Sequence, residues 1–192
     1  MARPTTKLKS IEAAALKLFA TKGLGQVTVK DIGREAGCTE GALYRHYTSK
    51  DEMAWTLFSR EVERFGAKLR EVVQGPGTFA NRVRKGVEVF YRFFDEDRVA
   101  FSFILLSQHN FPPGRELSPD LNPNKLVIRF VEEGVKKGKF GIRDARLGAA
   151  MVLGLVLQLA VMHATGMFKY LMSTKIDDVS DACLKVLQAK EG

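Results

Sequence analysis

The residues best equipped for chemistry lie close together, in the stretch GCTEGALYRHYTSKDEM at 37–53, where two tyrosines, an arginine and a histidine share one very short helix. Start signals frame it. Thr39 is an N-cap with Glu40 in the first turn, and Ser49 with Glu52 three residues on forms a capping box for the next helix. Leu43 and Tyr47, four apart, supply an inward face. The remaining side chains are polar, cationic or flat, the types that reach phosphate oxygens and base edges when a helix enters the major groove of B-DNA.

Catalytic chemistry has little support. The 3 histidines are scattered, and the sequence has no nucleophile elbow, phosphate loop or metal-binding cluster. Cys38 and Cys183 stand far apart with no second ligand at metal spacing, so both read as packing residues in a reducing cytoplasm. The expectation is a protein that is not an enzyme and carries no cofactor. The first segments lack an apolar stretch of secretory type, because Glu12 and Lys17 interrupt IEAAALKLFATKG, so export is not expected.

The charge is unevenly placed. Of a net +8, residues 1–50 hold 9 Lys/Arg against 4 Asp/Glu, and the remaining 142 hold 21 against 18. A polyanion-binding module joined to a nearly balanced partner has this footprint, and so does a basic surface kept for solubility.

The elements that must position the short helix are all helical. Ile11, Ala14, Ala15, Leu18 and Phe19 recur at helical spacing until Gly23 and Gly25. TVKDIGREAG then offers Thr28 as N-cap, Asp31 at the third position and Gly37 as terminator. After the short helix, Phe58, Val62, Phe65, Leu69, Val72 and Val73 mark a long fourth helix, which QGPGT at 74–78 ends. Phe79, Val83, Val87, Phe90 and Phe94 stripe a fifth. RVAFSFILLSQ, apolar on nearly every side, should be buried. A proline-rich connection, HNFPPGRELSPDLNPNK, reads as a mobile segment or a lid before LVIRFVEEGVKKG.

Asp144 caps the next helix, whose AAMVLGLVLQLAVM run is apolar all round. Fourteen residues are too few to span a bilayer, so no membrane is expected; one side should face the core and the other a second subunit. A last helix carries Val179, Cys183, Val186 and Leu187 in register and could complete a four-helix dimer interface. Nothing shows the period-two alternation of a sheet, and the fold class is all-α.

Two short helices joined at Gly37, the second polar and aromatic, have the layout of a helix-turn-helix. The full string TVKDIGREAGCTEGALYRHYTSKDEM resembles the DNA-binding segment of the TetR family of bacterial transcriptional regulators, with specific similarity over roughly residues 10–55. The resemblance implies a three-helix helix-turn-helix domain over 1–50 and a helical effector-binding and dimerisation domain over 51–192.

The resemblance makes the helix begun at Thr39 the recognition helix. Tyr44 then donates to a phosphate, with Thr28 and Lys50 holding the DNA backbone from the flanking helices. Glu40, Ala42 and Arg45 lie where the family reads bases, Gly41 lies within the same face, and His46 sits near the backbone. Tyr47 packs partly against the first helix. Gly33 departs from the family's usual alanine and costs about 1 kcal/mol of helix propensity; Cys38 and Ala42 depart from a usual valine and threonine. Arg3, Lys7 and Lys9 read as an arm over the minor groove or, more simply, as a solvated tail.

In the second domain the family's pocket for a small molecule implies lining by Trp55, Phe90, Phe93, Phe101, Phe103, Phe130, Met151, Leu155 and Met162, with His109, Gln158 and His163 to orient an apolar or aromatic effector. The bland reading is a phenylalanine-rich core with a hydrogen-bonded histidine, and Gln158, buried mid-helix, would need a partner. The implied function is a cytoplasmic, ligand-responsive repressor that binds a palindromic operator on double-stranded DNA as a homodimer. The competing reading is a DNA-packaging or protein-interaction module without an effector.

Overall fold

A computed structural model describes residues 4–107, 110–112 and 114–190, with side chains described from Lys7 onward. The described residues are helical throughout apart from turns and one isolated bridge, Phe140 to Ala189. They form two compact units. The first takes Met1–Glu61 and Arg98–Arg115, the second Val62–Asp97 and Glu116–Gly192. Helix 98–107 packs on the N-terminal helix and so joins the first unit.

In the first unit α1 (Pro4–Lys22) buries Ile11, Ala14, Ala15, Leu18 and Phe19. It begins at Pro4, so Lys7 and Lys9 stand on a helix and the solvated-tail reading does not hold for them; Arg3 lies outside the described residues. A 3-10 turn, Leu24–Gln26, leads to α2 (Val29–Glu35), and α3 (Glu40–Tyr44) follows. Five residues are far too few for an isolated helix. What holds α3 is burial of Leu43 and Tyr47, 2% and 8% exposed, each apolar body stabilising the unit by about 1.5–3 kcal/mol.

Next comes α4 (Lys50–Val73), whose first half belongs to this unit. Helix α6 (Arg98–Ser107) completes it, placing Phe103 in a stack on Phe19 at 5.8 Å and edge-on to Phe58 at 6.2 Å. It is not covered on all sides as expected, since Val99 and Leu106 are exposed.

The second unit contains the rest of α4 with α5 (Phe79–Glu96), α7 (Pro123–Lys136), α8 (Ala145–Ala164) and α9 (Ile176–Leu187). Thr78, Asn122 and Asp144 cap α5, α7 and α8 through their side-chain oxygens. Helices α5, α8 and α9 pack together around Tyr91, Val156, Ala160 and Leu187. Cys183 lies in that core, where burial pushes its thiol up to about 11, as suits an inert packing residue.

Helix α8 has 20 residues with a mean hydropathy of 2.0 over its most apolar window, so it is long and apolar enough to cross a membrane. The expectation that it is too short is thus corrected. The helix extends beyond the apolar run of 149–162 at both ends, from the Asp144 cap to Ala164.

Candidate nucleic-acid interface

The interface is built on the turn between α2 and α3. Thr28 caps α2 through a reciprocal box: its Oγ1 accepts from Asp31 N–H at 3.1 Å, and the Asp31 carboxylate accepts from Thr28 N–H at 3.0 Å. The Thr28 hydroxyl also donates to Asp31 at 2.6 Å, and these bonds hold the Asp31 carboxyl below its usual value. Thr28 thereby fixes the start of α2.

Gly37 ends α2 with φ +61°. Cys38 N–H donates to Gly33 C=O at 2.8 Å and Gly37 N–H to Arg34 C=O at 3.2 Å, the paired bonds of a Schellman turn. Lys7 of α1 adds a bond from its Nζ to the Gly37 carbonyl at 2.7 Å. A Cβ on Gly33 would stand 2.9 Å from the Cys38 carbonyl oxygen. Its glycine is therefore a packing requirement of this turn, which the propensity argument could not see.

On α3 and the residues that flank it the side chains sort cleanly. Leu43 and Tyr47 are buried, Ala42 is half-buried, and Thr39, Glu40, Gly41, Tyr44, Arg45 and His46 are exposed, Tyr44 at 55%. Among the described residues Tyr44, Arg45 and His46 make no side-chain hydrogen bond or ion pair. Thr39 occupies the N-cap position without a side-chain cap bond. A Cβ on Gly41 would meet nothing within 4 Å, so nothing inside the chain demands a glycine there.

Behind the exposed face, Tyr47 donates its hydroxyl to Glu12 of α1 at 2.5 Å, and Glu12 also accepts from Arg60 of α4 at 2.8 Å. Burial, then the Glu12 bond, raises the Tyr47 phenol well above its ordinary value, which keeps it neutral and donating. Glu12 thus fastens α1, the end of α3 and α4 together. Sequence reading missed it because a single glutamate on an apolar helix has no motif.

Lys50 differs from expectation. Its Nζ donates to the carbonyls of Leu24 at 2.8 Å and Val27 at 3.0 Å, so the ammonium ties the start of α4 to the turn before α2. The capping box at this end is also shifted by one residue: Ser49 Oγ accepts from Glu52 N–H at 3.0 Å, while the Glu52 carboxylate reaches Thr48 N–H and its hydroxyl.

Residues 11–54 match the family described as "Bacterial regulatory proteins, tetR family". Over residues 11–54 the chain is a tetR-family regulatory sequence. Among curated relatives, the transcriptional repressor KstR2 of Mycobacterium tuberculosis is 34% identical over 133 residues, 66% of this chain and 65% of that protein. The transcriptional activator FasR of Mycolicibacterium smegmatis is 25% identical over 100 residues, 52% of this chain and 46% of that one. The chain thus spans less than two thirds of the length of these relatives. A solved structure of the regulator FadR from Bacillus subtilis, in complex with stearoyl-CoA, shares the fold with a TM-score of 0.76 at 19% identity, covering 93% of this chain and 98% of that one.

The residues expected to line one effector pocket are drawn from both compact units. Trp55, Phe101 and Phe103 belong to the first unit, where Phe101 and Phe103 are buried and Trp55 is half-buried. In the second unit Phe93 is buried against Phe65, with ring centroids 5.3 Å apart, and Phe90 lies 5.6 Å from the same ring. Phe130 stacks on Phe79 at 5.4 Å.

His163 is a buried core residue whose Nε2 bonds the Tyr170 carbonyl, between the rings of Phe94 and Tyr170. Met162 is half-buried, and His109 lies outside the described residues. Met151 and Leu155 are exposed at 47% and 38%, and Gln158 is exposed too. These three lie on the exposed face of α8, so the burial expected of Gln158 is not found within one chain.

Proposed function

We propose that this chain is a ligand-responsive, sequence-specific regulator of transcription that acts in the cytoplasm and binds a palindromic site on double-stranded DNA as a homodimer. The observation that carries this reading is the division of residues 39–47, α3 and its flanks: Leu43 and Tyr47 turned inward, with Thr39, Glu40, Gly41, Tyr44, Arg45 and His46 turned outward. Arg45 suits guanine, Glu40 accepts from cytosine, and the Ala42 methyl touches thymine. Tyr44, Thr39 and His46 hold phosphates, and the smallness of Gly41 lets a strand approach the helix. Thr28 and Lys50 serve this surface by placing α2 and α4.

The dimer reading rests on α8, where Leu147, Met151, Leu155 and Gln158 recur three to four residues apart and all are exposed. Only 28% of the apolar window of this helix is buried, and a second copy of the same helix would cover the rest. For the effector we favour a long-chain acyl derivative, because a relative from Bacillus subtilis is named a fatty acid metabolism regulator and the FadR structure holds stearoyl-CoA. Repression is the sign we assign, from the KstR2 relatives.

The test is selection from a random pool of duplexes at near-physiological salt. Enrichment of an inverted repeat, released by a long-chain acyl-CoA and not by free CoA, is the expected result. Salt-dependent binding without enrichment would replace this reading by DNA packaging.

A further inference from the structure

Two residues of the connection after α6 grip the first three turns of α4. The Phe111 ring lies 5.1 Å from Trp55, edge to face, and 4.8 Å from Phe58. Arg115 places its guanidinium 5.6 Å from the Trp55 ring and donates to the Asp51 carbonyl at 3.2 Å. Among the described residues it makes no ion pair. Trp55, Phe111 and Arg115 are all half-buried, and all belong to the first compact unit.

The same turns of α4 carry the fastenings of the DNA-facing side. Lys50 holds the carbonyls of Leu24 and Val27, and Glu52 holds Thr48, which follows the end of α3 by four residues. The first turn of α4 is thus bonded on one hand to the segments that place α2 and α3, and on the other to Arg115. An aromatic contact and a cation over a ring each contribute modestly, while the arginine bond to Asp51 adds direction.

We infer that Phe111 and Arg115 are positioning residues for DNA recognition: a clamp on Asp51, Trp55 and Phe58 that holds the start of α4, and through it α3, in the DNA-competent setting. This rests on the regulator reading. Closing the clamp favours sequence-specific binding, and opening it releases α3 from its register without unfolding the unit. The chain has 1 tryptophan, so Trp55 emission reports the clamp directly.

The experiment uses the full chain, the duplex selected by the parent protein and an unrelated duplex, with the variants F111A, R115Q and R115K. In each variant Trp55 emission should move to the red and become more accessible to iodide. Affinity for the selected duplex should fall roughly tenfold in F111A and R115Q, and less in R115K, which keeps the charge but not the fork. Affinity for the unrelated duplex should change by less than about twofold, because phosphate contacts alone do not need the register of α3. A melting curve like that of the parent shows that the variants fold.

Trp55 emission unchanged in both F111A and R115Q would overturn the clamp. So would altered emission with parental affinity for the selected duplex, or an equal loss on both duplexes. A parent protein that selects no duplex overturns the regulator reading itself, an outcome visible before any variant is made.

Discussion

Arg45 is the residue on which sequence preference should turn. Its guanidinium stands exposed at the end of α3 and has no partner among the described residues. Replacing it with alanine should relax preference at one symmetric base position by about 1–3 kcal/mol while leaving other positions intact, read by repeating the duplex selection with the variant. Tyr44→Phe, which removes only a phosphate donor, should weaken all duplexes alike. If the two variants alter the selected sequence in the same way, the division between readers and positioners is wrong.

A second residue-scale prediction concerns acid. Asp31 and Glu52 sit below their usual values of 3.8 and 4.5, chiefly through side-chain bonds from Thr28 and Thr48. A lowered carboxylate pKa contributes stability that is complete above the unfolded value and is lost as pH falls through the folded one. Protection of the amides in α2 and the first turn of α4, taken relative to their intrinsic exchange rate at each pH, should therefore fall below about pH 4, and D31N should show less of this acid response in α2. A D31N profile identical to that of the parent would remove the cap from the account.

At the scale of elements, the sequence revealed most of what local rules control. Thr28, Gly37 and Leu43 fixed the helix-turn-helix because a cap, a left-handed turn and an inward residue each leave a readable residue type. The bonds of Lys50 to two carbonyls had no signal in the sequence, because a lysine serves a phosphate or a carbonyl alike and only the fold shows that Leu24 and Val27 come within reach. Lys50→Ala should accordingly lower the melting temperature of the free protein, costing about 1–3 kcal/mol for two carbonyls left without their charged donor. No change in melting would restore Lys50 to the phosphate role.

Gly66 was likewise silent in the sequence. A Cβ there would stand 1.8 Å from the Leu121 carbonyl oxygen, so the connection before α7 lies directly on α4. G66A should destabilise the protein by about 1–3 kcal/mol or more, as overpacking against backbone does. A neutral G66A would mean that this connection lifts freely from the helix.

For the whole molecule, the apolar pattern of α8 announced a helix covered on more than one side, but not which residues would face outward. Periodicity is uninformative on a helix apolar all round, so Met151, Leu155 and Gln158 could be assigned to a pocket or to an interface with equal ease. Their exposure favours the interface. Leu155→Arg should convert the protein to a monomer by sedimentation and lower affinity for the inverted repeat by at least about a hundredfold, since one half-site would then be bound alone. A dimer that survives this change would place the interface elsewhere.

The most direct test of the central claim is the ratio of dissociation constants for the selected inverted repeat and a scrambled duplex of the same length, measured at several salt concentrations near physiological strength. A sequence-specific dimer predicts a ratio of about a thousandfold or more at physiological salt, with two chains per repeat. A ratio near one, with both constants following salt in parallel, would contradict it.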